Sequence, residues 1–83
     1  MDSYGITQEQ YDSMLEAQGG VCDICLKDDP KAPARANCFV VDHDHETGKV
    51  RGLLCHACNR GLGNFQDDLT ILLSSVNYKL KHQ

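Results

Sequence analysis

Val41-Asp42-His43-Asp44-His45 and, after a four-residue gap, Val50-Arg51-Gly52-Leu53-Leu54-Cys55-His56-Ala57-Cys58-Asn59 decide how this chain folds. Residues 38–42 are β-branched and aromatic, the composition of a short strand. Glu46-Thr47-Gly48-Lys49 has turn chemistry, with Gly48 free to take a positive φ. Residues 50–54 then read as the returning strand of a hairpin. Cys55 opens a helix that Gly61 and Gly63 hold to about Leu62.

Working outward, Cys55 and Cys58 form one Cys-x-x-Cys pair, and Cys22 and Cys25 form another, with 29 residues between Cys25 and Cys55. A Cys-x-x-Cys turn places two sulfurs on one metal, and two such turns supply the four thiolates of a closed tetrahedral Zn²⁺ site. Structural zinc contributes on the order of 10 kcal/mol to the folding of small domains. A thioredoxin-like dithiol is the redox alternative, but it expects a βαβ context that is missing here. A closed Cys₄ site also leaves zinc no open position for catalysis. The fifth cysteine, Cys38, sits beside Phe39-Val40-Val41 and is most simply a small core residue. His56 lies between two ligands of a set already complete, so the expectation for it is solvent exposure.

Eighty-three residues form one domain, 1–83, and a chain this short needs a metal or disulfides to fold firmly. No apolar stretch approaches the roughly 20 residues of a membrane span, so no membrane partner is expected. Met1-Asp2-Ser3-Tyr4 lacks the basic and apolar regions of a signal peptide, and a cytoplasmic location follows as the expectation. Reducing conditions there favour metal thiolates over disulfides. The formal net charge of −4 runs against nucleic-acid binding. Charge is local, however, and Lys49, Arg51 and Arg60 gather near the hairpin and its helix. As phosphate contacts each is weighed against an ordinary solvated surface role.

Thr7-Gln8-Glu9-Gln10 has the form of a capping box, and Tyr11, Met14 and Leu15 share one helical face behind it. A helix over 8–18 is expected, ended by Gly19-Gly20, with Tyr4 and Ile6 packing ahead of it as a staple. Residues 27–37 hold two prolines and five charges and read as an exposed loop. Leu69, Leu72, Leu73, Val76 and Leu80 keep helical spacing in a last helix, capped by Asn64 or Asp67. That stripe is expected to be core; if too broad for so small a domain to cover, it becomes a dimer face.

Chemistry is concentrated at the hairpin tip. Hydrolysis of a phosphodiester requires a base near neutral pKa for the attacking water and a hard cation for the developing charge. His43 suits the first task, while Asp42 and Asn59 offer the oxygen ligands that Mg²⁺ prefers. In a regular strand Asp42 and Asp44 share one face and His43 and His45 the other. Asp42 and His43 therefore converge on one phosphate only if the strand bends or ends there. An inert polar tip, or a further metal site using both histidines, are the competing readings of the same residues.

Cys22-x-x-Cys25, Val41-Asp42-His43-Asp44-His45, residues 48–55 (Gly-Lys-Val-Arg-Gly-Leu-Leu-Cys), Cys58-Asn59 and Leu62-Gly63 together resemble the recombination endonuclease VII family, a phage-type branch of the HNH, or ββα-metal, nucleases. The resemblance spans roughly residues 20–65. It implies that Asp42 and Asn59 hold a catalytic Mg²⁺ or Mn²⁺, that His43 is the general base, that His45 assists at the phosphate or the metal, and that the four cysteines bind structural Zn²⁺. It further implies hydrolysis of DNA to 5′-phosphate and 3′-hydroxyl ends, with phage DNA-processing proteins as partners in a host cytoplasm. The chain departs from the family pattern at Leu62, where some members carry an acidic residue, which leaves an additional carboxylate at the metal open. Junction-resolving relatives also carry a long C-terminal extension that helps build a dimer, so monomer and homodimer both stay open, as does branched DNA as substrate.

The expected fold is therefore small α+β, a zinc-stabilised ββα-metal (HNH) fold with an N-terminal and a C-terminal helix. The expected function is metal-dependent DNA endonuclease. The alternative is a zinc-ribbon-like module that binds nucleic acid or protein without cutting, which has no need of the Asp-His plus Asn set.

Overall fold

The computed structural model describes residues 6–32 and 38–83. Along the chain run α1 (Gln8–Ala17), β1 (Val40–His43), β2 (Val50–Leu54), α2 (His56–Asn64) and α3 (Leu69–Lys81). The fold is small α+β, with one antiparallel hairpin between the helices. The Tyr4 half of the expected staple and part of the 27–37 loop lie outside the described residues.

α1 begins where the capping box places it. The Thr7 Oγ1 accepts from the Gln10 backbone N–H at 3.1 Å, and the Gln10 Oε1 accepts from the Thr7 N–H at 2.7 Å. The helix ends at Gln18, whose backbone N–H caps the Met14 carbonyl. Its side chain then reaches the free side of β2. The Gln18 Oε1 accepts from the Leu53 N–H at 2.8 Å, and its Nε2 donates to the Leu53 and Val21 carbonyls at 3.0 and 2.8 Å. One side-chain amide thus does for β2 what a third strand would do, satisfying backbone groups that burial would otherwise leave unpaired. From the other end of the helix's buried face, the Tyr11 hydroxyl accepts from the Phe39 N–H at 2.9 Å, tying α1 to the approach to β1.

The hairpin carries one irregularity, and its position matters. Val40 pairs with Leu54, Val41 with Leu53 and Asp42 with Gly52, but His43 pairs with Val50. Arg51 is the extra residue, a bulge in β2 opposite the junction of Asp42 and His43. Bulges bend the strand and re-aim side chains. The register thus shifts opposite Asp42 and His43, and β1 ends at His43.

The buried core consists of Tyr11, Cys22, Phe39, Val41, Leu53, Leu54 and Cys55, with Leu53, Cys22 and Cys55 the most completely enclosed. Two of those three are cysteines of the two knuckles. The apolar core and the sulfur cluster are thus one packing unit, and a metal there would tie together what a small core holds weakly.

α2 closes with a Schellman arrangement. The Asp67 N–H donates to the Leu62 carbonyl at 2.8 Å and the Gln66 N–H to the Gly63 carbonyl at 2.9 Å, with Gln66 in the left-handed region at φ 59°. Asp67 is left-handed too, at φ 51°. The cap of α3 is Asp68 rather than Asn64 or Asp67: its Oδ1 accepts from the Thr70 and Ile71 N–H groups. The double left-handed turn uses Asp67 differently, as the site shows. α3 also departs from expectation in its burial. Leu69 is 70% exposed and Leu80 62%, with Leu73 and Val76 more than half exposed, while Ile71 and Leu72 are half-buried. The expected core stripe is therefore largely a surface stripe among the described residues. Apolar spacing marks a face of a helix and does not say what covers it.

Candidate active site

The sulfur cluster comes first because it places everything else. In the first knuckle the Ile24 N–H donates to the Cys22 sulfur at 3.4 Å, and in the second the Cys58 N–H donates to the Cys55 sulfur at 3.3 Å. Cys55 is also the N-cap of α2, where helix N–H groups favour a thiolate. The four Sγ atoms of Cys22, Cys25, Cys55 and Cys58 lie within 4.8 Å of one another, and Cys25 and Cys55 are 3.9 Å apart. Tetrahedral zinc with bonds of ~2.3 Å needs sulfurs about 3.8 Å apart, so the cluster is sized for such a metal. Without a metal, burial pushes the Cys22 thiol up, but hydrogen bonds from the backbone of Cys55, Cys25 and Ile24 and from the Cys25 thiol outweigh it and bring it to about 6. Burial, then hydrogen bonds with the Cys55, Cys22 and Cys25 thiols, push Cys58 up to about 12.

The same architecture builds a second site next door. Consecutive residues of a helix point about 100° apart. With Cys58 committed to the sulfur cluster, Asn59 is turned to an adjoining face. There it lines a cleft of about 160 Å³ with Asp42, His45, Arg51, Leu62, Gly63 and Asp67. Asp42 comes from the end of β1, Arg51 from the β2 bulge and Asp67 from the turn after α2. Asp42 and Asn59, expected to share a cation, thus share a cleft. His45 lines it as well. His43 does not; it sits just beyond the bulge with its ring centroid 5.5 Å from that of His45.

A guanidinium occupies the carboxylates. Arg51 donates from Nε to one Asp42 oxygen at 2.7 Å and from Nη2 to the other at 3.1 Å. The same group donates from Nη1 and Nη2 to the two Asp67 oxygens at 3.2 and 3.1 Å. The side-chain hydrogen bond to Asp42, followed by that to Asp67, drives the Arg51 pKa above its already high ordinary value. Asp42 is only 8% exposed. A carboxylate that buried demands a positive partner. The oxygen donors of the cleft, Asp42, Asn59 and Asp67, are hard ligands of the kind Mg²⁺ or Mn²⁺ takes, with the His45 imidazole beside them. They suit such an ion once the guanidinium yields the Asp42 oxygens.

Other predicted residues fall into place differently. Asp44 organises the hairpin tip, its Oδ1 accepting from the Glu46 and Thr47 N–H groups at 2.8 and 3.0 Å. Those two amides, Thr47 before Glu46, hold its carboxyl below the usual range. His56 is half-buried rather than exposed, and its Nε2 lies 3.1 Å from the Cys38 carbonyl. In the sequence Asp67 is a candidate cap of the last helix and not a site residue. Nothing in its spacing from Asn59 marks it, because the two left-handed residues that bring it back to the cleft leave no signal comparable to a glycine.

A hairpin leading into a helix, two cysteine knuckles and a carboxylate–amide cleft at the hairpin's end define a ββα-metal nuclease fold. Known proteins agree. The sequence model described as Recombination endonuclease VII matches residues 1–81. The chain therefore belongs to the recombination endonuclease VII family. It is 44% identical over 80 residues to the Gene 59 protein of Mycobacterium phage D29, covering 95% of this chain and 46% of that protein. The Gene 59 protein of Mycobacterium phage L5 is 42% identical over 79 residues, covering 94% and 46% respectively. The chain thus spans about half the length of the curated relatives it matches. Among solved structures, the beta-beta-alpha-Me type II restriction endonuclease Hpy99I is similar with a TM-score of 0.62 and 31% identity, over 93% of this chain and 43% of that one. No helix among the described residues is long and apolar enough to cross a membrane.

Proposed function

We propose that residues 1–83 form one nuclease domain that hydrolyses phosphodiester bonds in DNA with the help of a divalent cation, Mg²⁺ or Mn²⁺, held by Asp42 and Asn59. The observation that carries this reading is the shared cleft: an almost buried carboxylate and a helix-borne amide, distant in sequence, face one small polar space at a strand bulge. When bound, the cation would supply charge stabilisation at the leaving 3′-oxygen. Structural Zn²⁺ in the four-cysteine cage would hold α2 against the hairpin and so keep Asn59 opposite Asp42.

His43 takes the proton of the attacking water in this scheme. In-line displacement puts the attacking and leaving oxygens on opposite sides of phosphorus. The base and the cation therefore belong on different sides of the scissile group. A base just outside the carboxylate cleft, adjoining it through His45, fits that requirement better than one inside it. His45, which lines the cleft, is placed to steady the phosphate or a metal-bound water.

The test is a supercoiled plasmid incubated with zinc-loaded protein and Mg²⁺ or Mn²⁺, with and without a chelator. Metal-dependent nicking is expected, reduced about 10²- to 10⁴-fold in His43→Ala, the usual range for losing a general base. Zinc content should not change. Wild-type-like cleavage by the His43→Ala protein would remove His43 from the role. No cleavage of linear, supercoiled or branched DNA by fully zinc-loaded wild type would favour the zinc-ribbon-like binding module, a reading that the net charge of −4 keeps relevant.

A further inference from the structure

The Arg51 guanidinium satisfies both oxygens of the carboxylate assigned above to a cation, and at the same time both oxygens of Asp67. Three observations make this more than a surface ion pair. Asp42 is nearly buried, so its partner is not optional. Arg51 is the bulged residue of β2, the one position in the hairpin released from strand pairing. Asp67 reaches it from a turn in which two consecutive non-glycine residues take left-handed backbone, a cost of roughly 1 kcal/mol or more each that local packing must offset.

The surroundings add a fourth. Arg51 and Asp67 border three adjoining clefts: the one holding Asn59 and His45, a groove lined by Asp23, Gly52 and Leu72, and a polar cleft lined by Asp44, Glu46 and Gln66. The ion pair is the partition among them. Among the described residues Arg51 is also the one arginine or lysine that lines the cleft, so a phosphate that enters meets it.

We propose that Arg51 is an internal placeholder for the catalytic cation and a phosphate-contacting residue in the loaded site. Before metal binds, its guanidinium neutralises Asp42. A divalent ion on Asp42 displaces it, and Asp67, a positioning residue, keeps it at the cleft rim, aimed at the backbone of bound DNA. Asp67 thereby sets where Arg51 goes instead of letting it escape to solvent. No bond is made or broken; one cation is exchanged for another on one carboxylate.

This inference rests on the cation reading of Asp42, and the experiment separates the two. Mn²⁺ is titrated into zinc-loaded protein without DNA, by calorimetry or by electron paramagnetic resonance of free Mn²⁺. Asp42→Asn is expected to abolish the site; Mn²⁺ binding that ignores this change would overturn the cation reading itself. Arg51→Lys keeps the positive charge but loses the planar fork that grips both Asp42 oxygens. It is expected to bind Mn²⁺ about tenfold more tightly, the order of a released bidentate pair, yet to cleave DNA with reduced kcat. A general field effect predicts no change in Mn²⁺ affinity for Arg51→Lys. Unchanged or weaker binding in that variant, with Asp42-dependent binding in wild type, would overturn the placeholder role alone. A second measurement needs no variant. The Arg51 Nε–H resonance, hydrogen-bonded to Asp42, should shift on saturation with Mg²⁺, and its indifference to Mg²⁺ would also overturn the proposal.

Discussion

The two ends of the β2–α2 segment hold their ligands by opposite means. At the sulfur end, Cys22 and Cys55 are among the most enclosed side chains of the protein, and short local turns fix each knuckle before any metal arrives. At the carboxylate end, Asp42 depends on a half-exposed arginine, and that arginine depends on a third residue from a strained turn. The sulfur cage is made of four cysteines alone, whereas the carboxylate cleft includes a guanidinium of the protein's own. On the reading proposed above, the first would keep a metal permanently and the second would exchange one cation for another. A structural site gains from closure, whereas a catalytic site must remain open to solvent and substrate.

The most severe way to break the contrast is to remove the sulfur end. Cys55 is at once metal ligand, core residue and helix cap. Cys55→Ser, or stripping the metal with a strong chelator, removes a contribution on the order of 10 kcal/mol, comparable to the ~5–15 kcal/mol net stability of a whole domain. The expected result is loss of cooperative thermal unfolding by circular dichroism together with loss of the bound metal. A melting curve indifferent to chelation would show that the apolar core alone carries the fold. The equivalent insult at the other end, Asp42→Asn, should leave the melting transition cooperative, because Arg51 retains Asp67.

A smaller effect sharpens the same contrast without touching a sulfur. Gln18 stitches α1 to the unpaired side of Leu53, the residue at the centre of the core. Gln18→Ala leaves the Leu53 N–H without its partner and empties the space beside it. The expected cost is about 1–3 kcal/mol in denaturant unfolding, the penalty for a buried unsatisfied donor. Metal content should stay at the wild-type level, since the knuckles' own hydrogen bonds do not pass through Gln18. A change within about 0.5 kcal/mol, the ordinary range of surface substitutions, would mean that water replaces the amide at no cost.

The same division explains what the amino-acid sequence disclosed. The Cys-x-x-Cys pairs, the capping box at Thr7 and the span of β2 follow from short-range rules, and each lies where those rules place it. The meeting of Asp42 with Asn59 was legible because the sulfur cluster forces the helix against the hairpin. Three things were not. The bulge at Arg51 is one: Gly52 beside it is the kind of glycine that marks a bulge inside a strand, but which residue is the extra one is a matter of register between strands. The Arg51–Asp67 pair joins residues sixteen apart through a left-handed turn of Gln66 and Asp67, for which Gln66 gives no signal and Asp67 only a weak one. The exposure of Leu69, Leu73, Val76 and Leu80 is a property of what surrounds α3, which helical periodicity does not encode.

The smallest expected effect lies at the hairpin tip, on the exchangeable side of the molecule. Asp44 lies between the two histidines, but its carboxylate serves the Glu46 and Thr47 amides, and those amides hold its pKa below the ordinary Asp value. A carboxyl whose folded pKa is depressed stabilises the fold above its unfolded pKa, and that contribution is lost as pH falls through the lowered folded value. Acid should therefore loosen the tip only below the ordinary Asp range. Asp44→Asn keeps an acceptor oxygen but removes the titration. In amide NMR spectra, the Glu46 and Thr47 resonances of the wild type should titrate with a midpoint below about 3.9, while those of Asp44→Asn stay flat over the same range. Comparing the two proteins at each pH separates this local event from acid release of the sulfur-bound metal, which would shift every amide in both. A wild-type midpoint at the ordinary Asp value would mean that the tip is open in solution, leaving the bulge alone to orient His43 and His45.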